Sequence, residues 1–164
     1  MKQGLKQAVV FDKINTPAYA VKPILPFLDK NLIVWECTGK DSEITKVLRD
    51  YGMTVIETSL PEMDFLSDDA EFHFDIVITN PPYSEKTAFL RRCYEYNKPF
   101  MLLLPITALE GIERGSLFND YGIQVLVLDK RIDFTGKKSC WFNTSWFCND
   151  ILPKDLMFSQ LGDR

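Results

Sequence analysis

The sequence predicts an α/β chain built on a mostly parallel sheet with an antiparallel edge element and helices on both faces. Three observations carry that expectation. Short apolar runs alternate with segments of helical period along most of the chain. At 164 residues, 46% of them hydrophobic, the chain suffices for one buried core. No repeat, low-complexity tract or linker divides it, so residues 1–164 read as one domain.

In TPAYAVKPILPFL, Thr16 stands as an N-cap and Pro17 at the first helical position, while Pro23 and Pro26 bend or end the helix. This is a short, broken leading helix. LIVWEC (Leu32 to Cys37) reads as a buried strand, SEITKVLRDYG (Ser42 to Gly52) has the period and glycine stop of a helix, and MTVIET returns to strand. That makes one β-α-β unit. The alternation continues with a strand at Asp75 to Thr79, a helix from about Ser84 to Tyr96, and a strand from Phe100. A short helix around Ile112 to Asp120 and a strand from Ile123 complete it. The aromatic-rich CWFNTSWFC (Cys140 to Cys148) reads as the antiparallel edge element, with a loosely ordered end after Leu161.

Bulk properties exclude several function classes. Nineteen basic against 23 acidic residues give a net charge of −4, so no global positive field draws the chain to nucleic acid or anionic lipid. A polyanion would have to be gripped locally. No apolar run approaches the roughly 18 residues of a membrane span, and MKQGLKQAVVFDK lacks the apolar core and cleavage site of a signal peptide. The expected location is cytoplasmic. Cys37, Cys93, Cys140 and Cys148 show no paired C-x-x-C spacing, which argues for reduced, buried thiols over a zinc or redox site. No metal site is expected. His73, the one histidine, stands beside a strand without a partner pattern and reads as structural or exposed.

The chemistry concentrates in DIVITNPPYSEK, where a strand runs directly into Asn80-Pro81-Pro82-Tyr83. Ligands of open α/β sheets sit at the carboxyl ends of strands. There an asparagine carbonyl can accept a hydrogen bond, two prolines stiffen the loop and expose a carbonyl, and a tyrosine offers a stacking face. Together they describe a socket for a planar amine. Donation by that amine to the Asn80 side-chain oxygen and the Pro81 carbonyl would draw its lone pair out of conjugation, without a strong general base.

Asn-Pro-Pro-Tyr after a strand is the signature of amino-methyltransferases, and from about Phe11 to Cys148 the chain resembles the small phage-type DNA adenine methyltransferases dependent on S-adenosylmethionine. The resemblance implies a Rossmann-like methyltransferase fold. It also implies methyl transfer to the adenine amino group in DNA, in a host cytoplasm if the chain is phage-encoded. It places Phe11, Thr16 and Pro17, in FDKINTP, at the amino-acid end of the cofactor. VWECTGKDSE looks like the family's cofactor loop, with Glu36 and Gly39 on its acidic and glycine positions, although many members carry two or three glycines there. The ribose-binding acid corresponds to Glu57 or Ser59. Asp64 would hydrogen-bond the cofactor's adenine, and Phe65 would pack on its ring.

Lys86, Arg91 and Arg92 follow the socket on one predicted helix and could meet phosphates, as could Lys137 and Lys138. Of Trp141, Phe142 and Trp146, Phe142 is the choice for contacting an extruded base, and core packing accounts for at least one of the others. Seventeen residues follow CWFNTSWF, too few for the family's usual target-recognition region. Selectivity would then be low, come from a second subunit such as a homodimer partner, or give way to recognition of RNA or single strands. Two alternatives stay open: a catalytically silent binding protein on the same fold, and methyl transfer to RNA or a protein amine.

Overall fold

The computed structural model describes residues 15–136 and 142–162. Among these, seven strands form one sheet: β1 (Ile33–Glu36), β2 (Thr54–Glu57), β3 (Ile76–Thr79), β4 (Phe100–Pro105), β5 (Gln124–Leu128), β6 (Thr144–Asn149) and β7 (Leu156–Ser159). Their order is β2-β1-β3-β4-β6-β5-β7. β6 runs antiparallel to both of its neighbours, and all other pairings are parallel.

Side chains alternate across the strands and split the core into two layers. Val34, Ile76, Ile78, Met101, Leu103 and Trp146 face α1 (Ala18–Val21), the 3₁₀ turn Lys22–Phe27 and α2 (Glu43–Tyr51). Trp35, Val77, Phe100, Leu102 and Phe147 face α3 (Lys86–Tyr96) and α4 (Ile112–Tyr121). Local chemistry sets the helix ends. The Ser42 side chain accepts from the Thr45 N–H at 3.1 Å, and Gly52 closes α2 in the left-handed region at φ 103°.

The leading helix is short and broken at its prolines, as expected, but its start lies one residue later. Pro17 is the N-cap of α1, and the Thr16 side chain does not cap it. A second departure concerns the aromatic tail. β6 is no edge element: it lies between β4 and β5, paired with β4 from Phe100↔Asn149 to Pro105↔Thr144. The cause lies in its composition, since Thr144 to Cys148 are buried on both faces, which only an interior strand requires. The edge falls instead to β7, whose alternate residues Leu156 and Phe158 are exposed.

The order of strands creates the functional crevice. The chain builds β2 on one side of β1, then crosses to the other side to build β3. Connections leave β1 and β3 in opposite directions, so their carboxyl ends frame a gap at the topological switch point.

Candidate active site

The loop after β1 is organised around one buried carboxylate. Glu36 is 1% exposed. Its Oε1 accepts from the Thr38 N–H (3.0 Å), the Thr38 hydroxyl (3.1 Å) and the Thr79 hydroxyl (2.6 Å), and its Oε2 accepts from the Ser42 hydroxyl (2.6 Å). Burial pushes the carboxyl above its ordinary range, and these hydrogen bonds oppose the shift. Glu36 therefore clasps the loop to β3 and to the start of α2. The loop's shortage of glycine has a structural answer too. Asp41 takes the left-handed conformation at φ 54°, which aspartate tolerates better than most residues. A Cβ on Gly39 would meet protein atoms only at 3.7 Å (Ser42) and 3.8 Å (Glu36), so nothing inside the fold demands glycine there.

Beside this loop lies a cleft of about 160 Å³ lined by Cys37, Thr38, Ser59, Leu60, Met63, Asp64, Phe65, Pro82, Glu85 and Phe89. It brings together expected residues from three separate segments: Ser59 after β2, the Asp64-Phe65 pair, and Pro82 of the socket. Asp64 spends Oδ1 on the Leu66 N–H (2.9 Å), closing a turn. Phe65 is 2% exposed, stacked at 5.0 Å on Phe89 and edge-on at 5.0 Å to Trp35. Glu57, at the carboxyl end of β2, holds Arg49 through Oε2 (3.3 Å), while its Oε1 is buried with no partner among the described residues. Cys37 is buried in the cleft wall, and burial together with Glu36 pushes its thiol well up.

Asn80 stands immediately beyond β3. Its Nδ2 donates to the Thr16 hydroxyl at 2.9 Å, and its Oδ1 is buried without a partner among the described residues. A buried acceptor left open calls for a physical reason. The ring of Tyr83 meets that of Phe142 edge to face at 5.8 Å, and Phe142 stacks at 6.4 Å on Phe134. Sequence reasoning missed Phe134; its one signal was an aromatic residue in the mostly polar RIDFTGKK. Thr38 and Thr79, joined at 2.7 Å between β1 and β3, were missed as well.

Lys86, Arg91 and Arg92 all lie on α3, as expected, and differ in setting. Arg92 points inward: its guanidinium donates to the Phe65 carbonyl (3.2 Å), the Asp68 carbonyl (2.9 Å) and Asp69 (2.8 Å), and lies over the Tyr96 ring. Its side chain is only 16% exposed. Arg92 thus clamps the turn after Asp64. Arg91 pairs with Glu113 on α4, and Lys86 donates to the Tyr83 carbonyl at 3.0 Å. Trp146 is fully buried and donates from Nε1 to the Ala20 carbonyl (2.9 Å). His73 is exposed and contacts Asp75. Phe11, Lys137, Lys138, Cys140 and Trp141 lie outside the described residues. Among the described residues no cluster of His, Cys, Asp or Glu could hold a metal ion, and no helix is long and apolar enough to cross a membrane.

No protein-family model matches the chain, and no curated protein matches it in sequence. Solved structures do. A protein assigned as a class I S-adenosylmethionine-dependent methyltransferase from Listeria monocytogenes superposes with a TM-score of 0.58 at 12% identity, over 91% of this chain and 66% of its own. The chain thus spans about two thirds of that protein's length. A release-factor-specific protein-(glutamine-N5) methyltransferase from Alicyclobacillus acidocaldarius matches at a TM-score of 0.45 and 16% identity, over 80% of this chain and 90% of the other. The strand order, the switch-point crevice and the first of these likenesses agree, and the chain has the Rossmann-like fold of class I methyltransferases.

Proposed function

We propose that the chain transfers a methyl group from S-adenosylmethionine to the exocyclic amino group of adenine in DNA. One observation carries the reading: the buried, open Oδ1 of Asn80 at the switch point, with the Tyr83 and Phe142 rings nearby.

The residues present fit the cofactor. The cleft beside Ser59, Asp64, Phe65 and Pro82 would take its adenine, with the Asp64 oxygen not used in the turn available to the ring's amino group. The open Oε1 of Glu57 would take the ribose hydroxyls, and Thr16 and Pro17 would hold the amino-acid end. Bound S-adenosylmethionine supplies a methyl carbon activated by its positive sulfur.

The chain's own contribution is alignment. The Asn80 Oδ1 and the Pro81 carbonyl accept the two N–H groups of the acceptor amine. That turns the nitrogen lone pair out of ring conjugation and toward the methyl. Both carbonyl dipoles face the positive charge that develops on nitrogen, where preorganised acceptors are worth most. Tyr83 and Phe142 hold the planar base, offsetting the few kcal/mol that unstacking costs. The Pro81-Pro82 backbone keeps the loop stiff, so orientation is set before the acceptor arrives.

The test is transfer of labelled methyl to duplex DNA, single-stranded DNA, RNA and protein, with the acceptor atom identified by mass spectrometry. Label on adenine N6 in DNA supports the reading. Label confined to RNA or a protein amide keeps the socket and changes the substrate. No label on any acceptor, with cofactor bound, leaves a silent binding protein and overturns it.

A further inference from the structure

We propose that Thr16 is a positioning residue that couples cofactor occupancy to acceptor alignment by fixing which end of the Asn80 carboxamide faces the acceptor. The inference rests on the role given to Asn80 above.

A carboxamide has two nearly isosteric ends, and a half-turn about its last bond exchanges them. With Oδ1 toward the acceptor, the amine finds a hydrogen-bond acceptor; with Nδ2 there, donor meets donor and binding fails. What Asn80 does therefore depends on what holds its other end. That partner is the hydroxyl of Thr16, 2.9 Å from Nδ2 and 64 residues away in sequence. Thr16 is only 5% exposed, so water competes weakly for it.

A hydroxyl alone cannot choose. It can accept from Nδ2 or donate to Oδ1. The choice is forced only when its own proton is taken elsewhere, because it can then only accept. Among the described residues no acceptor receives the Thr16 proton, while the hydroxyl lies at the same strand ends as the cleft. The strongest acceptor-only group of S-adenosylmethionine is its carboxylate. If that carboxylate takes the Thr16 proton, the hydroxyl accepts from Nδ2 and Oδ1 is presented to the acceptor.

The leading segment is held firmly enough for this task. The Tyr19 hydroxyl accepts from the Asp133 N–H at 2.8 Å, and the Ala20 carbonyl accepts from Trp146 Nε1 at 2.9 Å. Thr16 thus adjoins an anchored segment, and its burial holds the hydroxyl in place.

The experiment measures acceptor binding, not turnover. A fluorescent single-stranded oligonucleotide containing adenine is titrated with protein saturated with S-adenosylhomocysteine or with its decarboxylated analogue, using the parent chain, Thr16→Val and Thr16→Ser. The coupling predicts that the carboxylate tightens acceptor binding at least about fivefold in the parent, the lower end of ordinary two-site coupling. Thr16→Ser keeps the difference, and Thr16→Val removes it. Equal acceptor affinity with both analogues in the parent overturns the inference, as does a folded Thr16→Val that keeps the full difference. Should Thr16→Val not fold, judged by circular dichroism, the parent comparison decides alone. A parent that binds no adenine oligonucleotide with either analogue overturns the proposed function and this inference together, whereas binding without the carboxylate effect overturns only the latter.

Discussion

At the scale of single residues, a buried carboxylate and a half-buried carboxamide with opposite electrostatic situations define the site. Glu36 has every donor it needs, and Asn80 has an acceptor it does not use. Replacing Glu36 by Ala would leave the Thr38 N–H without its partner and remove the carboxylate acceptor of the Thr79 and Ser42 hydroxyls, so chemical denaturation should show a loss of about 2–4 kcal/mol. The pH dependence of the parent has a definite sign. Because the folded carboxyl lies above its unfolded value, the folded state binds more protons in that interval, and Glu36 lowers stability as pH rises from the ordinary carboxylate range through the folded value. Glu36→Gln should lose that component of the stability–pH curve. Asp64 tests the cofactor cleft separately. With one oxygen already closing the turn, Asp64→Ala should weaken cofactor affinity about tenfold by calorimetry while leaving the acceptor socket intact. An unchanged affinity would leave Asp64 only its turn.

At the scale of elements, most of the fold was legible and the reasons for the misses are physical. β1 to β5 and the helices between them lie within a residue or two of where apolar period, Ser42 and Gly52 put their ends. β6 was misplaced to an edge because an aromatic run states that a strand is buried on both faces but not which strands flank it. β7, four residues alternating exposed and half-buried, has too little apolar pattern to stand out. In the candidate site, the proposed socket could be picked out because its residues are contiguous. Its support could not: Thr16 with Asn80, and Arg92 with the turn after Asp64, are tertiary pairings without local spacing. Arg92 gives the prediction at this scale. As a clamp on that turn, Arg92→Met should weaken cofactor binding several-fold and leave the salt dependence of nucleic-acid binding unchanged. A phosphate-contacting arginine would instead reduce the salt slope by about one.

At the scale of the whole molecule, charge governs the acceptor's form. The chain carries −4, Arg91 is spent on Glu113, and Arg92 is turned inward. Among the described residues, the three basic side chains that follow the socket on α3 are all engaged with protein groups, and the cost of extruding a base falls on contacts such as Tyr83 and Phe142. That cost is least for an unpaired base. The chain should therefore methylate adenine in a single strand faster than in the matching perfect duplex, with both rates falling as salt rises. Sizing of the sample must accompany the assay, because a neighbouring subunit could lend surface to a duplex. A duplex rate equal to or above the single-strand rate would place recognition in the loops of the sheet itself.

The central claim is that Asn80 addresses the acceptor amine and not the cofactor, and turnover of Asn80→Ala, read beside its cofactor affinity, tests it most directly. Loss of the acceptor carbonyl should lower turnover by about 10²–10³, the range for one preorganised polar group at a reacting centre. Calorimetric affinity for S-adenosylmethionine should stay within a few-fold of the parent. A variant that turns over within about tenfold of the parent, or one whose loss is matched by lost cofactor affinity, would contradict the account.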